Sequence, residues 1–105
     1  MEIKELAENL GLSEEEFKEL LELFMETGQS DLDKLESGIE GGNAEAAIVA
    51  AHSIKGASGN LGLMDIYDIA KEAEEKAREN DFIRASELAT VLKDKLVDIS
   101  EASGR

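Results

Sequence analysis

The chain has 105 residues, with 25 acidic against 11 basic side chains, a formal net charge of −14, no cysteine and no proline. That length supports one domain with a single modest core, the absence of cysteine excludes a disulfide framework or thiolate metal site, and the charge opposes binding to nucleic-acid phosphates. No apolar run nears the ~18 residues of a membrane span and no signal-peptide pattern opens the chain, so the expected setting is the cytoplasm, with no membrane partner.

A proline-free sequence rich in Glu, Ala, Leu and Lys favours long helices. Ile3, Leu6, Ala7 and Leu10 have helical spacing, and Gly11 suits a C-terminal cap, which predicts a short first helix. Ser13 and Glu16 then form a capping-box pattern with Leu12 and Phe17 as its hydrophobic staple. The second helix carries Phe17, Leu20, Leu21, Phe24, Leu32, Leu35 and Ile39 along one stripe, with a bend rather than a break allowed at Gly28. Gly41-Gly42 ends it, and Asn43 is placed to cap a third helix from about Ala44 to about Leu61. A fourth helix, from about Asp65 to Glu79, should bury Ile66, Ile69, Ala70, Ala73 and Ala77. Asn80-Asp81 makes a turn with Asp81 as N-cap, and a fifth helix points Ala85, Leu88, Ala89, Leu92, Leu96 and Ile99 inward. Residues Ser100 to Arg105 lack an apolar continuation and are expected to be a frayed tail or the start of a linker. No stretch alternates with the period of a strand. Short connections favour antiparallel neighbours, so the expected fold is all-α: an up-down four-helix bundle preceded by a short helix.

Chemistry concentrates between His52 and Gly62, which reads His-Ser-Ile-Lys-Gly-Ala-Ser-Gly-Asn-Leu-Gly and contains the one histidine of the chain. At roughly 100° per residue, Ala47, Ala51, Ile54, Ser58 and Leu61 form the core face of the third helix. His52 then projects away from the core, on the side that also carries Glu45, Ile48, Val49, Gly56 and Gly59, with Lys55 at its edge. An isolated surface histidine is usually a bystander. Two glycines beside it, each costing a helix interior about 1 kcal/mol, suggest instead that something large approaches the backbone there.

His52, Lys55, Gly56, Gly59 and Gly62, with their intervening residues, closely resemble the signature of histidine-containing phosphotransfer (HPt) domains, found in hybrid sensor kinases and chemotaxis kinases. The resemblance extends over nearly the whole chain as a short helix plus a bundle. It implies that His52 is the phosphoacceptor and that Lys55 compensates phosphoryl charge. Gly56, Gly59, Ile48 and Val49 would form the docking surface for a partner. It further implies that Glu74, 22 residues after His52, hydrogen-bonds the other ring nitrogen and fixes the tautomer, the alternative being one more solvated glutamate in Glu72-Ala73-Glu74-Glu75. Lys71 and Arg78 share the flank of Glu74 and could also face phosphate, although solvated surface charges are the plainer reading of both.

The implied partners are a histidine or hybrid kinase and a response-regulator receiver domain, with the isolated domain monomeric. No Walker A or kinase glycine loop occurs, so the chain should be a carrier without its own ATP site rather than an enzyme. No cofactor or metal is expected in it, the magnesium belonging to the receiver. A docking module of the same fold that passes no phosphoryl group is the alternative. A metal or acid–base enzyme finds little support, because no ligand cluster of recognised spacing accompanies the histidine.

Overall fold

A computed structural model of the chain describes residues 2–102. Local side-chain capping sets where three of its helices begin. Ser13 Oγ accepts the Glu16 N–H at 3.1 Å while Glu16 Oε1 takes the Ser13 N–H at 2.9 Å, closing a capping box. Asn43 Oδ1 accepts the Ala46 N–H and Asp81 Oδ1 accepts the Arg84 N–H, each at 3.1 Å. Five helices result among the described residues, and no strand: α1 (Ile3–Asn9), α2 (Glu14–Glu40), α3 (Ala44–Asn60), α4 (Met64–Arg78) and α5 (Phe82–Ala102). The first four end alike, on a residue of positive φ (Gly11, Gly42, Gly62 or Asn80), with the next N–H bonded back to Ala7, Gly38, Ser58 or Lys76.

α2, 27 residues or about 40 Å long, sets the long axis of a 42 × 22 × 16 Å molecule. α3 lies against α2 and α4, α5 closes the ring against α4 and α2, and α1 rests on α2. Asp31 and Gly38 of α2 meet Ser53 and Ala47 of α3 respectively. Glu74 and Tyr67 of α4 meet His52 and Gly59 of α3, and Glu72 and Asp65 meet Arg84 and Lys95 of α5. Phe17, Leu21, Leu32, Leu35, Ile66, Leu92 and Ile99 fill the core. Alanines such as Ala47, Ala51, Ala70, Ala73 and Ala77 line the α3–α4 side, where short side chains let two helices approach closely.

Two local expectations change, at Leu20 and at the C-terminal tail. Leu20 is 38% exposed, because the buried stripe of α2 is narrower than its apolar content. α2 runs through Gly28 without a break, as expected, and Gly28 is buried in the packing between α2 and α5. α5 continues through Ala102, so Ser100 to Ala102 of the expected tail are helical, while residues 103–105 lie outside the described residues.

The two buried glycines of α2 differ in kind. A Cβ on Gly28 would make ordinary contact with Leu96 Cδ2 at 3.5 Å, whereas one on Gly38 would lie 2.8 Å from the Ala47 backbone nitrogen. Gly28→Ala should therefore gain up to about 1 kcal/mol of helix propensity. Gly38→Ala should lose roughly 1–3 kcal/mol by forcing α2 and α3 apart. Denaturant unfolding of the two variants side by side checks this, and equal stability would show that the α2–α3 contact yields easily.

Candidate functional site

With Ala47, Ala51, Ile54 and Ser58 turned into the core, α3 carries His52 outward, and its side chain is 65% exposed. Ser58 Oγ donates to the Ile54 and Lys55 carbonyls, so the one polar side chain on that buried face is satisfied inside its own helix. On α4, burial of Ile66, Ala70, Ala73 and Ala77 leaves Glu74 at the seam with α3, where it too is buried.

Glu74 gathers the site. Its Oε2 lies 3.2 Å from His52 Nδ1 and accepts from Arg78 NH2 at 2.9 Å, and its Oε1 pairs with Lys55 Nζ at 2.8 Å. Burial by itself would push the Glu74 carboxyl up. Hydrogen bonds from Lys55 and Arg78, the Lys55 charge and the His52 bond together outweigh that and hold it at about 2. A group so acidic is ionised and can only accept, so the ring proton of a neutral His52 sits on Nδ1. The lone pair is left on Nε2, on an exposed ring.

Residues 19–102 match the family model of the Hpt domain. The chain belongs to the Hpt domain family. No curated protein and no solved structure matches it. Hpt domains are phosphotransfer carriers of two-component signalling, not catalysts with an ATP site.

Within this Hpt domain the three glycines after His52 have three different surroundings. Gly62, at φ 75°, ends α3 by passing the Leu63 N–H back to the Ser58 carbonyl. Gly56 is exposed, and a Cβ there would meet nothing within 4 Å. Gly59 is half-buried, and a Cβ on it would press on Tyr67 Cδ2 at 3.2 Å, so it seats an aromatic ring of α4 rather than leaving open surface. Gly56→Ala should thus raise stability by up to about 1 kcal/mol. Gly59→Ala should gain less or lose, and should also alter the fluorescence of Tyr67, the one tyrosine of the chain. Equal gains with unchanged tyrosine emission would dismiss the Gly59–Tyr67 contact as a constraint.

Val49 is 63% exposed beside the site, whereas Ile48, expected on the same open surface, is half-buried and packs against the core. Lys55, 23% exposed, turns its ammonium to Glu74, and the exposed Arg78 side chain does the same from one turn along α4. Sequence reasoning had Arg78 on the flank of Glu74, as a surface charge or a group that could face phosphate, without its pairing to Glu74. Its i+4 spacing from Glu74 was the available signal. Nothing in the sequence marked Asp31, whose Oδ2 accepts from Ser53 Oγ at 2.6 Å across the α2–α3 seam. Among the described residues, no group of three or more His, Cys, Asp or Glu is arranged to hold a metal ion, and no helix is long and apolar enough to cross a membrane.

Proposed function

We propose that this Hpt domain carries a phosphoryl group on His52 Nε2 and exchanges it with the aspartate of a receiver domain. The observation that supports this most directly is the His52–Glu74 contact, which engages Nδ1 and leaves Nε2 as the free nitrogen of an exposed ring. Nε2 attacks the phosphorus of the donor's aspartyl phosphate, the Nε2–P bond forming as the P–O bond breaks and the aspartate leaves as carboxylate. The ring keeps its Nδ1 proton and becomes cationic, and the ionised Glu74 faces that charge. Lys55 and Arg78 are the cations nearest the site, and they compensate the phosphoryl oxygens as these arrive. The magnesium and the accepting aspartate belong to the receiver, and a histidine or hybrid kinase loads the relay upstream.

An up-down, antiparallel order of α2 to α5 fits this reading, since the contacts named above pair rising residue numbers on one helix with falling ones on the next. Such a bundle would work in the cytoplasm as a monomer when isolated.

The test is phosphoryl transfer from phosphorylated receivers of the source genome, with phosphoramidate as a partner-free donor. The label should be acid-labile and base-stable and should map to His52. Receiver binding with no label from any donor would favour a docking module of the same fold.

A further inference from the structure

The side of His52 away from Glu74 opens onto a second feature. Between α2 and α3 runs a groove of about 1010 Å³, lined among others by Asp31, Asp33, Lys34, Glu45, Val49 and Ser53. Ser53 directly follows His52, so a body in contact with the exposed ring overhangs the groove. The lining residues run from Asp31 to Gly38 on α2, about 10 Å of helix, and on to Gly41 just past its end, which matches about two turns of a partner helix laid alongside. Val49 offers an apolar anchor, and the polar rim sets three carboxylates against a single lysine.

We propose that this groove docks a basic helix of the receiver that exchanges phosphate with His52. The inference rests on the phosphorelay reading above. It adds which face the partner uses and what charge the partner carries. Across His52 the charge reverses: Lys55 and Arg78 outnumber Glu74 on the α4 side. The docking face is therefore uneven in charge: two cations meet one carboxylate immediately beside His52, and three carboxylates meet one lysine in the groove. A receiver whose phosphorylation pocket is acidic and whose neighbouring helix is basic fits in one orientation, and the reversed orientation sets like charges together. A second copy of this chain would bring its own carboxylates against Asp31, Asp33 and Glu45, which argues against self-association here.

The experiment uses the full chain and whichever receiver exchanges phosphate with it. The double variant Asp33→Asn/Glu45→Gln should lower the second-order transfer rate by about tenfold at low salt, and much less at high salt. Lys34→Glu should raise the same rate several-fold, a gain that misfolding cannot imitate. Asp94→Lys, on the exposed face of α5, changes net charge away from the groove and should move the rate little. Phosphoramidate labelling of His52 should be equal in all four proteins, because it needs no docking. Equal transfer rates in the groove variants, or an effect of Asp94→Lys as large as theirs, would overturn the groove while leaving the relay intact. A dimer that protects Val49 would reassign the groove to a second copy. Failure of phosphoramidate and of every receiver to label His52 would overturn the phosphorelay reading and the groove with it.

Discussion

His52→Gln is expected to abolish phosphoryl labelling from every donor while changing stability by no more than about 0.5 kcal/mol. The two halves of that expectation have separate causes. Labelling is lost because the chain has no second imidazole. An amide offers no nucleophilic lone pair of comparable strength. Stability is kept because the ring is mostly in water. Its removal also leaves Glu74 with Lys55 and Arg78 as partners, so no buried carboxylate is stranded. Gel or mass-spectrometric detection of the acid-labile phosphate, alongside thermal unfolding, reads both halves. Label that persists in the variant would move the acceptor to another residue. Loss of label through unfolding would show that α3 depends on His52 in a way its exposure does not suggest.

The features legible in the sequence share a physical basis: they are local. The capping box at Ser13 and the caps at Asn43 and Asp81 depend on residues within four positions of one another, and the outward direction of His52 on the period of a single helix. The helical period reads such relations directly. Relations between helices were legible only where the Hpt resemblance supplied them, as with Glu74. Others needed the packed register: Gly38 against Ala47, Gly59 under Tyr67, Asp31 bonded to Ser53. The glycines show this most clearly. On a helical wheel Gly56 and Gly59 look equivalent, two gaps on one outer face. What separates them is Tyr67 of another helix, whose reach over Gly59 depends on how closely the alanine-lined faces of α3 and α4 approach.

Glu74→Ala is expected to slow phosphoryl transfer by about 10- to 100-fold, by analogy with losing the carboxylate that orients a metal-bound imidazole. Glu74→Gln should cost much less. With alanine, Nδ1 loses its acceptor, so the ring proton is shared between the two nitrogens and the lone pair is on Nε2 only part of the time. Lys55, mostly shielded from water, also loses its counter-ion. With glutamine, the amide oxygen can still accept from Nδ1 and hold the tautomer. What goes is the negative charge opposite the cationic phosphorylated ring.

The same carboxylate should be visible in the pH dependence of stability. Its folded pKa, about 2, lies below the ordinary value of 4.5. The folded state therefore binds the proton less readily than the unfolded state. The stability this group contributes is complete above about pH 4.5 and declines as pH falls towards 2. Denaturant unfolding of the wild type and Glu74→Gln between pH 6 and 3 should show a stability gap that narrows on acidification, since only the wild type has this proton to take up. A gap that stays constant would mean that Glu74 is not ionised more strongly in the fold than out of it. The donor role of Nδ1 would fall with it, because that role depends on an acceptor that carries no proton of its own.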